Sequence, residues 1–140
     1  MRQILLFVAL TASLTLLSGC ALSKTKKDTA EDMTGKAAYH KISAEEAYEM
    51  MASQEVVVVD VRTREEYDGG HIENAVLVPN ESIDSEMPEA LPDKEATLLV
   101  YCRSGRRSKD AAQKLLKLGY QSVYDFGGII DWPYELVKEG

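Results

Sequence analysis

Apolar and polar residues switch between two periods along most of this chain, and the switches predict its elements. Val56-Val57-Val58-Val59-Asp60-Val61 is a β-branched apolar run too short for a helix, and Thr97-Leu98-Leu99-Val100-Tyr101 is a second. Continuous runs of this kind suit strands covered on both faces, as in a parallel sheet. Ala75-Val76-Leu77-Val78, closed by Pro79, and Ser122-Val123-Tyr124 are shorter strand candidates. Helix signals lie between them. Ser43-Ala44-Glu45-Glu46 is a capping-box sequence backed by Ala47, Met50 and Met51, and Thr63-Arg64-Glu65-Glu66 repeats the box before Gly69-Gly70 stops the helix. Lys109 to Leu118 places Ala111, Ala112, Leu115 and Leu118 on one side, with Gly119 as the stop. Ser82 to Leu91 reads as a short helical stretch broken by Pro88, and Gly127-Gly128 as the turn into a final helix containing Trp132 and Leu136. Strands alternating with helices predict an α/β fold with a mainly parallel sheet and helices on both faces.

The chain begins differently. Ile4 through Leu17 carries no charge and is interrupted only by Thr11, Ser13 and Thr15, with Arg2 just before it. A membrane-spanning helix needs roughly 20 apolar residues, so this run reads as the core of a secretory signal. It ends in Leu17-Ser18-Gly19-Cys20, which resembles the lipobox of bacterial lipoproteins. That resemblance implies a signal peptide over residues 1–19, cleaved after Gly19, with diacylglyceryl on the Cys20 sulfur and an acyl chain on the new amino terminus. Two such attachments make a stable membrane anchor, on the periplasmic face of a bacterial envelope or on the cell surface. The alternatives are an uncleaved anchor or an ordinary signal cleaved near Ala21. Residues 20–37, with Lys24, Lys26, Lys27, Asp28, Glu31 and Asp32, have no apolar period and read as a solvated tether. Residues 38–140 are left for one folded domain.

Charge and composition narrow the function. The chain has 16 basic and 23 acidic residues for a formal charge of −7; losing the leader removes only Arg2, which takes −7 to −8. An acidic surface of this size excludes nucleic acid as the expected partner. With 45% hydrophobic and 28% charged residues the chain is not a disordered one. Cys20 and Cys102 are too few for a disulfide framework. His40 and His71 have no ligand spacing, so neither a metal nor any other cofactor is expected.

One segment departs from the acidic balance. Cys102-Arg103-Ser104-Gly105-Arg106-Arg107-Ser108 follows a predicted strand and precedes a predicted helix, where ligands of open α/β sheets sit. Arg103, Arg106 and Arg107 bring three positive charges without a carboxylate. Backbone N–H groups in such a loop converge, and the helix N-terminus adds partial positive charge. A thiol there has its pKa depressed, which is how a nucleophilic cysteine is made. The plainer alternative is an inert buried cysteine beside solvated arginines.

Cys102 to Arg107 is similar to the six-residue active-site loop of rhodanese-like sulfurtransferases, cysteine first and a basic residue sixth. Asp60-Val61-Arg62-Thr63-Arg64-Glu65-Glu66-Tyr67, then Gly70-His71-Ile72 and Ala75, resemble the same family, as do Gly119-Tyr120, Val123, Gly127, Gly128 and Trp132. The resemblance runs from about Tyr39 to Gly140. It implies the three-layer fold of that family and a thiosulfate sulfurtransferase activity in which Cys102 becomes a persulfide. A small anionic sulfur donor would be drawn by Arg103, Arg106 and Arg107, with Ser104 and Gly105 shaping the loop, and a thiophilic acceptor, cyanide or a protein thiol, would take the sulfur. Asp60 and Arg62 are expected as a structural ion pair or as caps of the following helix, His71 as a hydrogen-bonded turn residue and Trp132 as core. Two other readings stay open. A phosphatase or arsenate reductase on this fold needs its arginine six positions after the cysteine, where Ser108 stands. A non-catalytic binding domain at the cell envelope has no evident need for the intact loop, whereas a sulfane-sulfur carrier or sensor whose acceptor is another protein would keep the cysteine.

Overall fold

The computed structural model describes residues 37–138. The leader, Cys20 and nearly all of the expected tether therefore lie outside the described residues. Five strands, β1 (Ala38–Lys41), β2 (Val57–Asp60), β3 (Val76–Leu77), β4 (Thr97–Cys102) and β5 (Ser122–Gly128), alternate with helices α1 (Ala44–Ser53), α2 (Arg64–Asp68) and α3 (Arg106–Lys117). The sheet order is β1-β5-β4-β2-β3, with every neighbouring pair parallel. β4 is thus central, and Cys102 is its last residue.

Two cores form because β4 alternates. Leu98, Val100 and Cys102 point to the face covered by α3, where Ala111, Ala112 and Leu115 pack with Val59, Val61 and Val123. Leu99 and Tyr101 point to the other face, with Ala47 of α1, Tyr67 of α2 and Phe126. Burial on both faces is what the unbroken apolar runs required. Both predicted capping boxes are present: Glu46 N–H donates to Ser43 Oγ at 3.1 Å and Ser43 N–H to Glu46 Oε2 at 2.8 Å, with the same exchange between Thr63 and Glu66. Each satisfies two helix N–H or N-cap N–H groups that would otherwise need water.

The structure differs from the sequence expectations in five places. Instead of a final helix at Trp132 and Leu136 there is a single 3₁₀ turn, Ile129–Asp131, because Pro133 forces Trp132 into extended backbone at φ −77°, ψ 114°. Val137 then pairs with His71 in an antiparallel bridge, N to O 2.9 Å in both directions. Between Ser82 and Leu91 no helix forms; a 3₁₀ turn at Asn80–Ser82 precedes an irregular stretch carrying Pro88. α3 begins at Arg106 rather than Lys109. Strand β1 was not expected at all, because Ala38-Tyr39-His40-Lys41 is mostly exposed and has no apolar run. Pairing with β5 alone makes it a strand.

β5 also continues past Tyr124 to Gly128, and its register against β4 shifts where Val100 faces Asp125 and Tyr101 faces Gly127. Phe126 is the extra residue. Such a bulge re-aims side chains, and here it leaves Asp125 beneath the loop that follows β4.

Candidate active site

Cys102 is a free thiol, 1% exposed, at the carboxyl end of the central strand. The next three residues turn sharply into α3. Gly105 occupies the N-cap position at φ 98°, left-handed backbone that a side chain disfavours. No side-chain cap is present there. The sulfur closes the turn before the helix: Gly105 N–H donates to Cys102 Sγ at 3.0 Å. The start of α3 was less legible in the sequence than those of α1 and α2 because its N-cap is a glycine in place of Ser, Thr or Asp.

Burial alone would push the Cys102 thiol up, but it is outweighed by donors from the Ser108 backbone and hydroxyl and from the Gly105 and Ser104 backbones. The net direction is down from an ordinary thiol, toward the thiolate. Hydrogen bonds to the charged form favour that form. The site therefore carries the depressed thiol that the loop sequence predicts.

Seating this loop depends on a close approach to β5. A Cβ on Gly128 would lie 2.7 Å from Ser104 Cα and 2.8 Å from the Arg103 carbonyl carbon. Gly128 is paired with Cys102 in the sheet, and Ile130 N–H donates to the Arg103 carbonyl at 3.3 Å. The Gly127-Gly128 pair thus serves loop contact instead of opening a helix.

The three arginines have different environments. Arg107 is half-buried and forms a two-pronged pair with Glu66, Nη1–Oε2 2.8 Å and Nη2–Oε1 2.9 Å. Its guanidinium still feels the Cys102 charge, which adds to the upward push from Glu66. Arg103 and Arg106 are exposed, and neither has an ion-pair partner among the described residues. Ser104 is exposed beside them. The free positive charge at the mouth thus comes from Arg103 and Arg106, while Arg107 ties the loop to α2.

Asp60 and Arg62 form the expected structural pair, both buried, with Arg62 Nη2 2.6 Å from Asp60 Oδ2. Tyr101 OH donates to the same oxygen at 2.6 Å and accepts from Ile72 N–H at 3.2 Å, and Arg62 Nη2 reaches the Gly70 carbonyl at 2.8 Å. This network joins β2 and β4 one residue before the cysteine. His71 is turn architecture: its ring stacks on Tyr67 at 3.7 Å and Nδ1 lies 2.9 Å from the Tyr67 carbonyl. Since a carbonyl only accepts, Nδ1 carries the hydrogen. Trp132 packs against Phe126, Tyr48 and Tyr134. No cluster of metal ligands occurs among the described residues.

Sequence reasoning missed Ser108 as a sulfur ligand, Glu66 as the partner of Arg107, and Asp125. Ser108 is wholly buried, and its hydroxyl lies 2.7 Å from Asp125 Oδ1. The one available signal was a carboxylate inside the apolar run Val123 to Phe126, a position that burial penalises unless partners are waiting.

The model of the rhodanese-like domain family matches residues 43–133, and the chain belongs to that family. A tRNA uridine(34) hydroxylase of Yersinia pestis is 32% identical over 106 residues, covering 72% of this chain and 30% of that protein. The chain thus spans about a third of the length of the curated relatives it matches. Among solved structures, a rhodanese with anions from E. coli is 34% identical, with 61% of this chain and all of that one covered and a TM-score of 0.56. A human single-domain sulfurtransferase is 27% identical over 66% of this chain and 93% of its own, with a TM-score of 0.60. The fold is that of the rhodanese-like neighbours.

Proposed function

We propose that this protein is a sulfurtransferase that carries sulfane sulfur on Cys102, with thiosulfate or a similar anionic persulfide source as donor. The observation that carries the reading is the Cys102 sulfur held among N–H and O–H donors at the end of β4. The thiolate attacks the outer sulfur of thiosulfate. The S–S bond breaks with its electron pair leaving on sulfite, and Cys102 becomes a persulfide anion. Donors converging on that anion act as an oxyanion hole does for oxygen. A thiophilic acceptor, cyanide or a thiol, then takes the outer sulfur and returns Cys102 to the thiolate. Arg103 and Arg106 draw the anionic donor to the mouth, and Ser104 and Gly105 keep the loop tight. The names of the E. coli and human relatives support this class of reaction.

Phosphoryl chemistry fits less well. The sixth position after Cys102 is Ser108, buried against the Asp125 carboxylate, where a bound phosphate would need a cation. The test is direct. Incubated with thiosulfate, the protein gains one sulfur on Cys102 and releases sulfite, then yields thiocyanate with cyanide; Cys102→Ser does neither while unfolding cooperatively. Absence of the sulfur adduct in the wild type would rule the reading out.

We further propose that Cys20 is the site of lipid attachment and that the domain works outside the cytoplasm on the membrane surface. The support is the lipobox-like Leu17-Ser18-Gly19-Cys20 after an uncharged run. Radiolabelled fatty acid should enter the wild-type chain and not Cys20→Ser; equal labelling of the two would refute the assignment.

A further inference from the structure

Gly105 donates its N–H to the Cys102 sulfur at 3.0 Å, yet it has no side chain with which to hold that direction. Its φ of 98° is open to glycine but not imposed by glycine, so the aim must come from neighbours. Two neighbours supply it. Ser108, in the first turn of α3, places its hydroxyl 3.1 Å from the Gly105 carbonyl. Gly127 of β5 lies against the same residue: a Cβ on Gly105 would stand 3.5 Å from Gly127 Cα. Both supports end on a single oxygen, since Asp125 Oδ1 accepts the Ser108 hydroxyl at 2.7 Å and the Gly127 N–H at 2.9 Å. The other carboxylate oxygen is held from the edge strand, where Tyr39 OH donates to Oδ2 at 2.8 Å and Lys41 Nζ lies 3.3 Å away. Asp125 and Ser108 are both buried. Exchanging a buried ion pair for apolar residues is often neutral or stabilising, so stability alone does not account for a carboxylate in β5. What it does that Val or Leu could not is accept donors from two elements at one atom.

We propose that Asp125 is a positioning residue for the nucleophile: by clamping Ser108 of α3 and Gly127 of β5 to one oxygen, it keeps the Gly105 N–H aimed at the Cys102 sulfur. It acts on the sulfur through Gly105 rather than directly. The bulge at Phe126 makes this possible, because Val100 faces Asp125 and Tyr101 faces Gly127, which puts the carboxylate and the amide it accepts on successive rungs beside the loop. The edge strand β1 fixes Oδ2 and leaves Oδ1 to the clamp. The charged and titratable groups facing the carboxylate are Tyr39 and Lys41 from β1. Facing the sulfur are Arg107 from α3, whose guanidinium feels the Cys102 charge, and behind it Glu66 from α2. Burial and the Asp125 carboxylate push Tyr39 up to about 12, so it remains a donor throughout. The assignment deepens the sulfurtransferase reading and rests on Cys102 being its reactive group.

Two readouts on the full chain test the clamp: a pH series of iodoacetamide alkylation, read by mass on the Cys102 peptide, and amide hydrogen exchange of Gly105 followed by NMR against Leu99 of β4. Asp125→Asn keeps an oxygen for both donors and removes the charge; Asp125→Ala removes both. Loss of a nearby negative charge favours the thiolate, so charge alone moves the alkylation midpoint down equally in the two variants. Loss of the clamp moves it up in Asp125→Ala only, slowing alkylation at about pH 6 by about threefold, where rate follows thiolate fraction. Gly105 exchange should quicken by about tenfold in Asp125→Ala and stay as in the wild type in Asp125→Asn, because it reports local opening of that one hydrogen bond. Equal midpoint shifts in the two variants, or an unchanged Gly105 amide in Asp125→Ala, would overturn the proposal. Ser108→Ala leaves the carboxylate with Gly127, Tyr39 and Lys41, so it folds even where Asp125→Ala does not, and Gly105 exchange should quicken in it as well. An unchanged Gly105 amide there, whatever the alkylation midpoint does, would mean that the hydroxyl does not hold the loop and would equally sink the clamp. Mass gain with thiosulfate is scored separately on the wild type. Its absence removes the sulfurtransferase reading, while the exchange and alkylation series still decide the clamp.

Discussion

Arg107 and Glu66 meet with two parallel hydrogen bonds of 2.8 and 2.9 Å, joining the start of α3, beside the Cys102 loop, to α2 across forty residues of chain. The same Glu66 carboxylate accepts the Thr63 N–H at 3.1 Å as half of the capping box. One side chain therefore fixes the start of a helix and the posture of the loop. Sequence gave no reason to pair them, because each residue already had a plausible local task.

This pair makes stability depend on acid. The Arg107 hydrogen bonds, more than burial opposes them, hold Glu66 down at about 2 against an ordinary 4.5. A depressed carboxylate contributes stability above its unfolded value and loses it as pH falls through the folded value. The window is therefore from about 4.5 down to about 2. Both groups are about a quarter exposed, so the contribution is only about 1 kcal/mol. Melting temperature against pH should fall in that window for the wild type and be flatter there for Glu66→Gln.

Gly128→Ala should disable the loop more than it unfolds the domain. The added methyl overlaps the Arg103 carbonyl and Ser104 Cα, both backbone atoms that cannot swing away. Overpacking of this kind costs about 1–3 kcal/mol. A displacement of about an ångström at the nucleophile's donors costs about 10²-fold in rate. Thiocyanate formation should drop by that factor while circular dichroism stays close to native.

Arg62→Leu should be among the most damaging substitutions outside the loop. It leaves Asp60, wholly buried, with Tyr101 OH and a backbone N–H but no cation. Breaking one side of a buried pair costs about 3–5 kcal/mol. Tyr101→Phe removes one hydrogen bond to the same carboxylate and the acceptor of the Ile72 N–H but leaves the ion pair whole, and should cost less, about 1–3 kcal/mol. Urea unfolding of the two variants gives the order; a milder Arg62→Leu would show that the network is not what holds β2 to β4.

Replacing the two unpaired arginines should act on donor capture. Arg103→Gln with Arg106→Gln removes exposed charge that attracts an anion over solvent-screened distances. KM for thiosulfate should rise by about threefold at low salt, kcat should change little, and the difference from wild type should shrink in high salt. A fall in kcat at constant KM would place an arginine on the reacting sulfur instead.

The sequence by itself determined a good deal. The apolar runs around Val58 and Leu99 required a sheet buried on both faces, and the two capping boxes placed α1 and α2, because these signals are local and each satisfies its own backbone groups. The cysteine with its arginines at a strand-to-helix turn marked the candidate nucleophile for the same reason. Tertiary structure decided what depends on distant partners. β1 exists only beside β5, α3 starts at Arg106 behind a left-handed glycine with no side-chain cap to announce it, and Gly128 is essential only because a loop lies against it. Asp125, in the middle of an apolar strand, became tolerable when Lys41, Tyr39, Ser108 and Gly127 converged on it. Hydrogen bonds within a few residues are written in order along the chain; those that cross the sheet are set by the register and the bulge that bring the strands together.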